Sequence, residues 1–127
     1  MVRKVYLGIC SVIFLPYGMM CFLNPAILIE SAGIQAITAT GSTEIRAMYG
    51  GLQAAVGALA LFALFRSSLV NGFLVMLVTV MSGLLLARLA GLAIDGGFTA
   101  YTGMALTFEA TLFASALYFL LALAEEK

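Results

Sequence analysis

Five charged residues lie within or at the ends of long apolar runs, where no tail or tight turn accounts for them: Glu44, Arg46, Arg88, Asp95 and Glu109. A charge turned toward lipid is costly, so such residues face inward, pair with one another and mark functional positions by default. Their types define the available chemistry. Arginine grips carboxylate or phosphate heads through its planar fork, and a glutamate can carry a proton. The chain has no histidine. That excludes His-ligated haem and zinc, H-E-x-x-H hydrolases and Ser-His-Asp triads. No serine or cysteine has an evident base partner, and the acids lack metal-ligand spacing. No catalytic residue, metal or cofactor is therefore assigned. An enzyme ranks last among the readings and would need Glu109 as acid or base beside an arginine.

Depth can be read from the helical rise. With a membrane boundary near Thr43, Asp95 and Tyr101, Arg46 lies roughly 5 Å inside, Arg88 roughly 10 Å and Glu109 about 12 Å. Tyr49 falls near the level of Arg88, and Tyr17 lies in the same half. Helical spacing puts Arg46, Tyr49, Gly50, Gln53 and Gly57 on one stripe, and Arg88 and Asp95 on another. Thr102, Ala105, Glu109 and Ala116 share a third. The expectation is a cluster with Glu109 between Arg46 and Arg88, Tyr49 donating a hydrogen bond, and Asp95 nearer the mouth. Glu44 has a simpler role, since a carboxylate in the first turn of a helix complements its dipole.

Three readings of that cluster follow. In the first, the chain is an accessory or ligand-binding module whose polar pocket holds a lipid, a quinone or a similar amphiphile. Arg46 and Arg88 would grip the head, with Tyr17, Tyr49 and Gln53 as hydrogen-bond partners. In the second it is a small proton-coupled transporter with Glu109 as the proton site. In the third the charges are interhelical glue in a structural membrane subunit. The first is preferred.

The elements that must position these residues are apolar and long. Of 127 residues, 64% are hydrophobic and 9% charged, with a mean hydropathy of +1.15. Soluble domains carry about 25% charged residues, so this composition places the chain in a lipid bilayer. Lys and Arg number 6 and Asp and Glu 6, leaving no basic face for nucleic acid. Apolar runs at about 5–23, 43–65, 70–94 and 101–123 each match the roughly 20 residues of a spanning helix. Continuous apolarity argues against barrel strands. The expected fold is all-α: a four-transmembrane-helix bundle, a single integral membrane domain over 1–127. A short interfacial helix over 25–31, capped by Asn24, falls between helices 1 and 2. Thr38–Ser42 reads as a loop, with Ser42 or Thr43 capping the second span. Arg66-Ser67-Ser68 reads as a tight turn, and Asp95-Gly96-Gly97 as a left-handed stop. Arg3, Lys4, Arg66 and Lys127 gather on one side, which predicts a multi-pass protein of the bacterial inner membrane with both termini cytoplasmic. Cys10 and Cys21 are roughly 16 Å apart along one helix, too far for a disulfide. The first run carries no cleavage site and reads as an uncleaved helix. Small residues recur at four-residue spacing: Gly50, Ala54 and Ala58; Gly83, Ala87 and Gly91; Gly103, Thr107, Thr111 and Ser115. Such rows let helices approach closely within the chain, in a homo-oligomer or against a membrane partner.

The run Thr43-Glu44-Ile45-Arg46-Ala47-Met48-Tyr49-Gly50-Gly51 resembles the signature of a bacterial family of small four-helix membrane proteins, catalogued as a domain of unknown function. Asn24-Pro25, Arg88-Leu89-Ala90-Gly91, Asp95-Gly96 and Glu109 match the same pattern. The resemblance covers nearly the whole chain. It implies the four-helix fold and a membrane location, and no activity. In size and helix count the chain is also loosely similar to DoxX-type membrane proteins, some of which are linked to quinone-dependent redox complexes. It differs from the small multidrug-resistance exporters, whose essential glutamate is in the first helix, because Val5–Leu23 holds no acid.

Overall fold

A computed structural model describes residues 2–125, with side chains through Ala124. Lys127, counted above among the cations of the cytoplasmic side, lies with Glu126 outside the described residues. The chain is all-α, and among the described residues four helices are long and apolar enough to cross a membrane: Val2–Leu23, Ala39–Phe65, Ser67–Asp95 and Ala100–Ala124. It is a multi-pass membrane protein. Two compact units divide it, Met1–Ser67 and Ser68–Lys127.

Unit 1 opens with α1 (Val2–Leu23) and continues through a short helix α2 (Ile27–Ala32). Then come α3 (Ala39–Ile45), a π-helical segment (Arg46–Gly51) and α4 (Leu52–Phe65). At 22 residues, α1 is about 33 Å long, enough for a hydrocarbon core of about 30 Å. It tolerates Pro16 in its interior. Packing against a neighbouring helix lets a membrane helix absorb the missing N–H. That neighbour is the π segment with α4, and the contact is made by glycine. A β-carbon on Gly18 would collide with the backbone of Ala54, and one on Gly57 with the backbone of Leu15. One on Gly50 would come within 2.8 Å of Phe22. In lipid, apolar side chains gain nothing by leaving solvent, so close backbone packing takes over. The expected row of Gly50, Ala54 and Ala58 is thus realised by Gly50, Ala54 and Gly57, with Gly18 opposite.

The connection between the first two spans differs from its sequence reading at both ends. Asn24 does not cap α2 with its side chain. Its N–H continues the turn of α1 onto the carbonyl of Met20, and its own carbonyl accepts from Ile27. Pro25 and Ala26 form a turn, and α2 begins at Ile27. It ends where Gly33, at φ 68°, donates to Ile29, a left-handed stop suited to glycine. The second span begins earlier than expected. The Thr38 hydroxyl accepts from Gly41 N–H at 3.1 Å and caps α3. Thr43 lies inside the helix and bonds back to the carbonyl of Ala39. Leu28 anchors the connection, fully buried against Cys21 and Ile45, with Ile34, Ala36 and Tyr49 packed around them.

Unit 2 is a helical hairpin. A single 3₁₀ turn (Ser67–Leu69) leads directly into α5 (Val70–Asp95), and α6 (Ala100–Glu125) packs against α5. Gly96 stops α5 at φ 69° and ψ −152°, and Gly97 follows at φ 76°. The first is a conformation essentially reserved for glycine. Thr99 then accepts from the N–H of Thr102 at 3.2 Å and starts α6. The buried residues of α6 are Glu109, Leu112 and Ala116, a stripe at helical spacing. Thr107, Thr111 and Ser115 each satisfy their hydroxyls on carbonyls four residues back.

Candidate functional site

Unit 2 places a charge pair inside the hairpin. Arg88 stands about 10 Å of helical rise before the end of α5, and Glu109 about 13 Å after the start of α6. In an antiparallel hairpin these depths coincide. Arg88 Nη2 donates to Glu109 Oε1 at 2.6 Å. Its Nε donates to Oε1 at 3.2 Å and Oε2 at 3.1 Å. The guanidinium fork thus engages both carboxylate oxygens. Burial is unequal: the Glu109 side chain is 5% exposed and that of Arg88 29%. A carboxylate so deep in apolar helices is tolerable only because the arginine pairs with it. Asp95 is not part of this pairing. It stands exposed at the C-terminal end of α5, about 10 Å of helix away from Arg88.

The shallow groove on α6 lined by Ala100, Gly103, Met104, Thr107, Phe108 and Thr111 lies on the side of that helix opposite Glu109, by its rotation of about 100° per residue. Among the described residues no cluster of Cys, Asp and Glu could hold a metal.

Unit 1 uses its arginine differently. Arg46 is the first residue of the π segment. Its Nη1 donates to the carbonyl oxygens of Phe22 and, at 3.3 Å, Leu23. Its guanidinium carbon lies 5.9 Å from the Phe22 ring centroid. Phe22 and Leu23 are the last residues of α1, whose terminal carbonyls have no partner within their own helix. Arg46 therefore caps α1, and its positive charge complements the negative end of that helix dipole.

The expected stripe of Arg46, Tyr49, Gly50, Gln53 and Gly57 assumed uninterrupted α-helical spacing. Across the π segment Leu52 N–H bonds to the carbonyl of Ala47, five residues back, so the turn widens and the spacing slips. Arg46, Gly50 and Gly57 all reach α1, while Tyr49 packs on the Cys21–Leu28–Ile45 cluster. Gln53 is half-buried in α4, and Tyr17 is exposed on α1. Of the expected cluster of Arg46, Arg88 and Glu109, unit 2 supplies the Arg88–Glu109 half by itself, and unit 1 gives Arg46 partners of its own.

Sequence reasoning missed the π segment and the two carbonyls that hold Arg46. A Gly50-Gly51 pair in mid-span was the only trace of the first. Main-chain acceptors leave no trace in residue type.

A family model for a domain of unknown function matches residues 2–121, nearly the whole chain. No curated protein and no solved structure matches it.

Proposed function

The chain belongs to the family DUF4345, a domain of unknown function, and on that premise we propose that it is a small accessory module of the bacterial inner membrane that holds an amphiphile, a lipid or a quinone, by its polar head. The Arg88–Glu109 pair is the recognition centre. One observation carries this reading: the carboxylate is nearly sealed, while the guanidinium that neutralises it keeps part of its surface accessible. A purely structural lock gains nothing from that asymmetry. A head-group site does, because a carboxylate that holds Nε and Nη2 fixes the orientation of a guanidinium that is itself partly accessible. The membrane-embedded position suits a ligand that arrives through the bilayer.

The test is mass spectrometry of lipids and quinones retained after gentle purification, on the native chain and on Glu109→Gln. Loss of a retained species from a variant that still melts normally supports the binding role. Unchanged retention with lowered melting temperature makes the pair structural glue and ends the proposal. A second reading, proton-coupled transport, is favoured by the same buried carboxylate at mid-helix. It requires proton flux in proteoliposomes that Glu109→Gln abolishes. The proposed topology, with Arg3, Lys4 and Arg66 on the cytoplasmic side, is tested by reporter fusions after Lys127 and within 24–42. They should report opposite sides.

A further inference from the structure

Arg46 presents a second polar feature, confined to unit 1 and independent of the role proposed for Arg88 and Glu109. Its guanidinium contacts are two main-chain carbonyls, both through Nη1, and an aromatic ring. Among the described residues of unit 1 its Nε and Nη2 donors have no partner. No carboxylate of unit 1 pairs with it. Glu44 is exposed and two positions earlier, and residues so spaced do not face each other on a helix.

The position of this cation is set by the length of α1. A helix of about 33 Å against a hydrocarbon core of about 30 Å brings its last carbonyls to the headgroup level. The arginine clamped to those carbonyls is held at the same level. Just inward of it, Met19, Phe22 and Leu23 are 45%, 47% and 69% exposed, an apolar strip at i, i+3 and i+4 on α1. A fixed planar donor edge at headgroup depth, next to an apolar strip running into the core, matches an oxyanion head joined to an acyl chain. In a bilayer the phosphate of a phospholipid has that form.

We propose that Arg46 is a headgroup site for a phosphate-bearing membrane lipid, with the phosphate on its Nε and Nη2 edge and an acyl chain along Met19, Phe22 and Leu23. The experiment uses the full chain in micelles doped equally with phosphatidylglycerol and a diacylglycerol of the same acyl chains, with retained lipid read by native mass spectrometry. The native chain should retain phosphatidylglycerol roughly tenfold over diacylglycerol, the effect of one charge-assisted hydrogen bond. Arg46→Gln should bring that ratio to about one, while Arg66→Gln, in the turn after α4, should leave it unchanged. Excess inorganic phosphate should not displace the lipid. Displacement would assign the site to a free anion and overturn the lipid assignment. Equal retention of the two lipids by the native chain overturns the proposal without any variant, so a failure of Arg46→Gln to fold does not protect it. Equal loss in Arg66→Gln reduces the effect to general charge attraction and overturns it as well. A preference that survives Arg46→Gln and disappears in Glu109→Gln moves the lipid to the Arg88–Glu109 pair. That result sinks this inference and leaves the previous reading standing.

Discussion

In unit 1 the helices meet backbone to backbone through Gly18, Gly50 and Gly57, and the charge stands at a helix end. In unit 2 they meet through side chains, with Arg88 and Glu109 joined well inside the hairpin. The contrast shows two ways of using an arginine in an apolar chain. Arg46 satisfies carbonyls that any α-helix leaves open at its end, so its loss reopens groups that a helix terminus ordinarily leaves to solvent or a cap. Arg88 compensates a carboxylate that is nearly fully buried, so its loss strands a charge. Packing follows the same division. Glycine contacts leave no room for a larger residue, whereas Gly83 and Gly91 of α5 have nothing within 4 Å of an added β-carbon.

The contrast can be broken most directly at Arg88. Arg88→Ala should destabilise the protein by about 3–5 kcal/mol, the cost of an orphaned buried charge, measured by unfolding in detergent. Arg88→Ala with Glu109→Gln should recover much of that loss. A double variant as unstable as the single one would show that the carboxylate is not the stranded group.

Next in size are the glycine contacts. Gly57→Leu should cost about 1–3 kcal/mol through overpacking against Leu15, whereas Gly83→Ala should stay within about 0.5 kcal/mol of the native chain. Comparable losses at both positions would erase the distinction between the units.

Gly96→Ala should cost about 1 kcal/mol or more, because the substitution forces a side chain into positive φ. The readout is faster amide exchange at the end of α5 and the start of α6. The smallest effect belongs to the helix end of unit 1. Arg46→Gln should cost about 1 kcal/mol through loss of the cap and dipole interaction, and Arg46→Lys should retain part of it. A loss at Arg46 as large as that at Arg88 would mean that the two arginines do the same work.

Much of this was legible from residue order. Sustained apolarity marks the spans because a bilayer leaves no alternative for main-chain polar groups. Asp95-Gly96-Gly97 announced a stop that only glycine geometry allows, and both glycines take positive φ. Arg88 and Glu109 could be matched because a short turn between two regular helices fixes their relative depth by counting. Where counting failed, a side-chain cap or a nonlocal contact had intervened. The start of the second span moved to Ala39 because one hydroxyl, on Thr38, met one N–H. The α2 connection was held by the burial of Leu28 against Cys21 and Ile45, which are distant from one another in sequence.

The sequence by itself determined an all-α membrane chain, its spans to within a few residues, the glycine stop after α5 and the pairing of Arg88 with Glu109, because each depends on local composition or helical rise. The tertiary structure alone decided the partner of Arg46, the π segment beneath it and which small residues touch. Those outcomes depend on main-chain atoms, which are the same in every residue, and on a widened helical turn whose register no residue count anticipates.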